Sequence, residues 1–278
     1  MYISSILIEW TSLEKRNTYN TAYNASVVGA CRALADVATE LGYGQYVGDL
    51  QQKADQLSTN INRHLWDAKK GAYWDGINGK GEKMATYYPI SSAFCSIFGI
   101  ANRQQQQAIL KHYAQVLPDI GDQHRAMLSS AYGSFYVLAD LFQQGEAGMA
   151  EAFYRKYWLP QVEWGDTNFE DFKAIESHTG STLSHAWGGH ATYFLSTQIL
   201  GVQMGFPQRF DARKIIIAPQ SETINWAKGT VPHPLGEVRV EWEGKGDKLL
   251  LSYQAPQGVE VEVKPKGRLA KLELKIKP

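Results

Sequence analysis

Near Gly205 the spacing of apolar residues changes from the period of a helix to that of a strand, and this switch constrains the fold more than any other feature of the chain. Before it, Val27, Cys31, Leu34, Ala38 and Leu41 recur at steps of three and four, which lines up one face of an α-helix, and Gly42 stands where a helix C-cap would. Tyr46, Leu50, Ala54, Leu57, Ile61 and Leu65 repeat the pattern before Trp66-Asp67-Ala68-Lys69-Lys70-Gly71 turns the chain. Pro89 opens a run through Ala93, Phe94 and Ile97 that stops at Gly99, and Ala108, Tyr113 and Val116 belong to another that Pro118 closes. Residues 125–142, a stretch marked by Met149, Phe153 and Trp158, and residues 183–200 bring the total to about seven helices, joined by short Gly- or Pro-marked turns as in helical hairpins.

After the switch, Glu237-Val238-Arg239-Val240-Glu241-Trp242-Glu243 alternates strictly, as do Val259-Glu260-Val261-Glu262-Val263 and Leu272-Glu273-Leu274-Lys275-Ile276. Alternation puts one face on a core and the other in water, which predicts a small antiparallel β-domain whose outward charges keep its edges from pairing with neighbours. The predicted division is therefore a helical domain over residues 1–204 and a β-domain over 205–278. Trp226 and Trp242 are expected inside the β-domain or between the domains.

At 278 residues the chain is long enough for one large core or two domains. Its 28 Lys and Arg balance 28 Asp and Glu, which argues against a nucleic-acid partner held by phosphate neutralisation. The two cysteines, Cys31 and Cys95, lie in apolar helical patterns and read as buried thiols, and no His, Cys or acidic cluster has metal-ligand spacing. No cofactor motif is present: there is no phosphate-cradling glycine loop and no Gly-x-Ser-x-Gly elbow. The first ten residues lack a basic n-region and a small-residue cleavage site and are too few to span a bilayer, so the expectation is a cytoplasmic chain with no membrane partner.

The chemistry concentrates in Gly165-Asp166-Thr167-Asn168-Phe169-Glu170-Asp171-Phe172 and Ser181-Thr182-Leu183-Ser184-His185-Ala186-Trp187-Gly188. A carboxylate can activate water or stabilise a cationic sugar ring, an imidazole can hold a hydroxyl, and an indole can stack on a sugar's C–H face. Glu170, His185 and Trp187 supply those three groups. Taken alone, Glu170 reads as a cap and His185 as a satisfied core histidine; His178 and His190 keep the structural reading. Trp74 and Asp75, in a helix–helix loop, are weaker candidates for substrate contact.

These motifs resemble, in order and spacing, the C-terminal portion of a glycoside hydrolase family 78 α-L-rhamnosidase. Ile8-Glu9-Trp10 resembles the family's aspartate-tryptophan entry segment, and Ser130-Ala131-Tyr132-Gly133-Ser134-Phe135-Tyr136 resembles its S-P-Y-x-x-F-Y-type helix. Residues 165–172 resemble its G-A-T-T-x-W-E-x-F segment with one residue fewer between Gly and Glu, and residues 184–188 resemble its C-H-A-W-S segment. Trp226-Ala227-Lys228-Gly229-Thr230-Val231-Pro232 resembles a run in the β-domain that follows. The resemblance implies an (α/α)6 toroid, here incomplete, followed by a small antiparallel β-sandwich, and inverting hydrolysis of terminal α-L-rhamnosides without a cofactor. It places Glu170 at the general base and His185 at a substrate-contacting histidine, with Trp187 and Glu9 on pocket positions. The family's general acid precedes the position of Trp10, and no residue here matches it.

Three explanations follow: a fragment of a larger enzyme, which is preferred; a barrel completed by a second chain; or a reduced relative that has lost the chemistry. The rival functions are a non-catalytic carbohydrate-binding or assembly module and an inverting (α/α)6 glycosidase acting on another sugar.

Overall fold

The computed structural model describes residues 18–119, 131–165, 168, 170, 182–204 and 211–277. They gather into two compact units, one of residues up to Asp140 and the other from Leu141 onward.

The first unit is mostly helical. Strand β1 (Thr18–Asn20) leads into α1 (Thr21–Glu40), where Asn20 caps the N-terminus by accepting from the Tyr23 N–H at 3.0 Å. Its buried apolar face is Ala22, Ala25, Val28, Ala35 and Ala38. The expected helix is present, but its Leu34 and Leu41 point outward, 54% and 65% exposed. Small residues win the inner face because they allow close approach: a Cβ at Gly29 would meet the Phe98 ring at 2.5 Å. Helix α2 (Val47–Leu65) turns Ala54, Ser58, Ile61 and Leu65 inward, and short strands β2 (Trp66–Asp67) and β3 (Ala72–Tyr73) pair across the following turn. Strand β4 (Gly76–Asn78) pairs with β1.

Helix α3 (Pro89–Ile97) is buried along its whole length and ends before Gly99 at φ 69°, as Pro89 and Gly99 predict. Helix α4 (Arg103–Val116) opens with a reciprocal capping box between Asn102 and Gln105. The buried Asp140, in α5 (Ala131–Gln144), accepts from Ser96 Oγ at 2.6 Å and from the Tyr113 hydroxyl at 3.0 Å. Cys95 is buried and Cys31 half-buried, and both thiols are free.

The second unit begins at the end of α5 and continues through α6 (Ala147–Tyr157) and α7 (Leu159–Trp164), which Gly165 ends in the left-handed region at φ 74°. The single helix expected over 183–200 is instead three pieces. A 3₁₀ turn (Ala186–Gly189) leads into α8 (His190–Phe194), and a π-helical segment follows (Leu195–Ile199). The His185 ring bonds the Trp187 N–H and so holds the start of this run in a cap.

Two small sheets complete this unit. One runs β10 (Glu260–Val263), β6 (Lys214–Ile217), β5 (Val202–Gln203); the other runs β11 (Glu273–Ile276), β9 (Lys248–Gln254), β8 (Gly236–Lys245), β7 (Trp226–His233). Val238, Val240 and Trp242 are buried in turn along β8, as their alternation predicts. The expectation of antiparallel pairing throughout needs correction: β10 runs parallel to β6, and β11 parallel to β9. Alternation reports which face a side chain takes and says nothing of the direction of the neighbouring strand. Trp242 is core, its indole N–H donating to the Ile199 carbonyl at 2.9 Å, but Trp226 stands 66% exposed, against the expectation of burial.

Glu151 on α6 is a buried anchor for the segment that enters this β-region. Its carboxylate accepts from Ser221 Oγ, the Glu222 N–H, the Thr223 N–H and Thr223 Oγ1. No helix among the described residues is long and apolar enough to cross a membrane.

Candidate functional site

Within the second unit, two short segments lie side by side and carry three of the expected site residues. The His185 N–H donates to the Asn168 carbonyl at 2.7 Å, and the Glu170 N–H donates to the Thr182 carbonyl at 3.0 Å. These rungs bring Glu170 and His185 onto one hairpin-like pairing although fifteen positions separate them in sequence. The Glu170 carboxylate is partly exposed and accepts from the Thr182 N–H through Oε2 at 3.3 Å. A carboxylate has about four lone-pair sites, so this hydrogen bond, the one its oxygens accept among the described residues, leaves capacity for a water or a hydroxyl.

His185 Nδ1 accepts from the Trp187 N–H at 3.2 Å. That bond selects the neutral tautomer with its proton on Nε2, which makes the outer edge of the ring a hydrogen-bond donor. The His185 and Trp187 rings lie 4.5 Å apart, inclined at 55°. Behind them, the Trp158 indole N–H donates to the Gly188 carbonyl at 3.0 Å, and the Trp158 and His190 rings are 4.7 Å apart. His190 Nδ1 is bonded to the Tyr154 hydroxyl at 2.8 Å, and burial pushes that phenol's pKa well up. The aromatic girdle of Tyr154, Trp158 and His190 fixes the turn that presents His185. The sequence reading leaves His190 structural and gives Tyr154 and Trp158 no role at the site, although their spacing of four at the end of α6 is a usable sign.

Near Asn168 lies a cavity of about 370 Å³ lined largely by apolar groups, among them Phe142, Trp158, Leu159, Phe194 and Leu195. Its polar neighbours Glu151 and Tyr154 are already hydrogen-bonded within the protein.

The other candidates fall elsewhere. Trp74 and Asp75 belong to the first unit, and Glu9 lies outside the described residues. Asp75 is 0% exposed. Its carboxylate accepts from the Tyr88 N–H at 2.9 and 3.0 Å and from Ser91 Oγ at 2.6 Å, capping α3 from a distant loop. Its carbonyl accepts from the Thr21 N–H, and the Trp74 carbonyl from Thr21 Oγ1, so the same loop also caps α1. Burial pushes the Asp75 pKa up to about 6, against the opposing effect of those hydrogen bonds. Trp74 is half-buried against Tyr87, ring centroids 4.2 Å apart. No group of three His, Cys, Asp or Glu among the described residues could hold a metal ion.

Residues 9–126 match the mannosylglycerate hydrolase MGH1-like glycoside hydrolase domain, and residues 203–275 match the bacterial alpha-L-rhamnosidase C-terminal domain. An alpha-L-rhamnosidase of Alteromonas sp. (strain LOR) is 24% identical over 261 residues, covering 88% of this chain and 26% of that protein. Among solved structures, the GH78 family rhamnosidase of Bacillus sp. GL1 superposes with a TM-score of 0.82 at 26% identity, over 99% of this chain and 29% of its own. The alpha-L-rhamnosidase of Dictyoglumus thermophilum shares the fold with a TM-score of 0.72 at 19% identity, over 94% of this chain and 29% of its own. The chain thus spans between a quarter and a third of the length of these relatives.

Proposed function

We propose that this family 78 rhamnosidase-like chain contributes the water-activating side of a site that hydrolyses terminal α-L-rhamnosides with inversion. In this reading the Glu170 carboxylate takes a proton from water as the water oxygen attacks the anomeric carbon. The bond to the aglycone oxygen breaks on the opposite face of the ring. The His185 Nε2–H holds a sugar hydroxyl and the Trp187 indole covers the ring's C–H face.

Inversion requires a second carboxyl group, roughly 6.5–9.5 Å from the first, to protonate the leaving oxygen. In the family pattern that acid lies ahead of the position matched by Trp10, so the proposed activity belongs to a protein or assembly that supplies it. We take residues 1–204 as the hydrolase-like part and 205–278 as its β-domain; the match of residues 203–275 to the bacterial alpha-L-rhamnosidase C-terminal domain supports that division.

One observation carries the reading: the paired segments 168–170 and 182–185 set an under-used carboxylate beside a histidine whose tautomer is already selected. The test is turnover of an aryl α-L-rhamnoside by the protein complete with its acid. Glu170→Gln is expected to abolish it with the fold intact, and substantial retained turnover rejects the assignment.

A further inference from the structure

Every second residue along a strand faces the same way, so neighbouring strands can raise two rows of side chains with bare backbone between them. Strands β7, β8 and β9 do this on their outward face. Lys228, Glu241 and Ser252 stand in register as one row, and Thr230, Arg239 and Gln254 as the other. Between the rows run the peptide groups of Gly229, Val240 and Tyr253. The Val240 side chain is buried on the opposite face, where a Cβ on Gly229 would meet Leu200 at 3.0 Å. The result is an open trough of about 590 Å³ walled by those six polar side chains.

The chemistry of the walls narrows what the trough can hold. Lys228 pairs with Glu241 at 3.0 Å and Arg239 with Glu237 at 3.1 Å, so the cations are matched and no net charge is left to select an ion. The hydroxyls of Thr230 and Ser252 and the amide of Gln254 have no hydrogen-bond partner among the described residues, which leaves donors and acceptors open side by side. The volume lies within the range of small-ligand sites, roughly 300–1,000 Å³, yet such sites are mostly apolar and this one is not. One pair beyond Lys228 and Glu241 on the same face, Trp226 stands opposite Glu243 and is 66% exposed. An indole left in water beside a charge-balanced polar hollow meets both needs of a sugar. It offers a flat apolar surface for the ring's C–H face, and the hollow offers donors and acceptors for the hydroxyls.

We infer that this face of β7, β8 and β9 is a second carbohydrate site, one that takes a neutral oligosaccharide and shares no residue with the segments carrying Glu170 and His185. One sugar residue lies in the trough, its hydroxyls bonded by Thr230, Arg239, Ser252 and Gln254, and the next stacks on Trp226. The balanced charge sets aside an acidic glycan or a nucleic acid, and the polar walls set aside an apolar ligand. That the polyhydroxyl ligand is a sugar rests on the glycosidase reading above. Such a site keeps a branched glycan on the protein between successive cleavages.

The test is an NMR titration of the isotope-labelled full chain with cellotetraose, a linear L-rhamnose tetrasaccharide and tetragalacturonate in turn. At least one neutral tetrasaccharide is expected to shift the backbone amides of residues 226–230, 239–243 and 250–254, and tetragalacturonate to bind no more tightly. Trp226→Ser is expected to weaken that binding about 3–10-fold with unchanged thermal unfolding. Ser252→Tyr, which fills the trough, is expected to weaken it by more than about 10-fold, and the milder Gln254→Ala about 2–5-fold. Absence of binding by both neutral tetrasaccharides at millimolar concentration overturns the inference. Shifts confined to other residues, indifference to all three variants, or tighter binding of tetragalacturonate also overturn it. So does a concentration-dependent dimer that Trp226→Ser disperses, since a second copy would then cover the indole. Turnover of an aryl α-L-rhamnoside is scored separately. Hydrolysis by a complete protein that binds neither neutral tetrasaccharide on this face sinks this inference alone, whereas binding here without hydrolysis sinks the hydrolase reading alone.

Discussion

Asp75 and Glu170 are both carboxylates in loops between helical segments, yet the protein treats them oppositely. Asp75 is sealed from solvent, accepts three hydrogen bonds from Tyr88 and Ser91, and ties down the starts of two helices. Glu170 is partly exposed and, among the described residues, its carboxylate accepts one long hydrogen bond through one oxygen. In the proposed reading the contrast separates scaffold from chemistry: a carboxylate saturated by the protein has little left for a substrate, while one with unfilled lone pairs at the surface has room for a water or a hydroxyl. Glu151, saturated by residues 221–223, belongs with Asp75.

Substitutions can break this comparison. The largest effect is expected at Glu170: Gln there keeps shape and lowers kcat on an aryl rhamnoside by about 10²–10⁴-fold, with unchanged thermal unfolding. A fall in Tm with little loss of kcat would move Glu170 into the scaffold class. Glu151→Ala strands several donors and is expected to lower stability by about 3 kcal/mol, measured by urea unfolding.

Asp75→Asn acts through pH. Because the folded pKa, about 6, lies above the ordinary carboxylate value of 3.8, the folded state binds the proton more tightly than the unfolded one. The contribution is thus fully present below about pH 4 and lost as pH rises through about 6, on the order of 2–3 kcal/mol. Unfolding at pH 4 and pH 7.5 should show that slope in the parent chain and a flatter one in Asp75→Asn; an identical slope would show that another group sets the pH dependence. The smallest effect is expected at Trp226, whose exposure predicts that Trp226→Ser changes stability by no more than about 0.5 kcal/mol.

Local punctuation made much of this architecture legible. Pro89 and Gly99 bracket α3, Pro118 follows the end of α4, and the alternation of β8 gives its buried face. The inner face of α1 was not legible, because Leu34, Val37 and Leu41 form the stronger apolar stripe while alanines make the contacts. Nor were the parallel pairings of β10 and β11, which depend on how loops return the chain and not on side-chain order. At the candidate site, motif order singled out Glu170, His185 and Trp187. What it could not convey was the support: the backbone rungs to Asn168 and Thr182 and the ring of Trp158 behind Gly188 are contacts between segments with no shared pattern.

The four hydrogen bonds that Glu151 receives have a practical corollary for anyone dissecting the chain. Cutting where periodicity changes, near residue 205, would send residues 221–223 away with the sheets and leave an anion stranded in the interior of the remaining helices. The seam most visible to the eye is therefore a poor place for scissors.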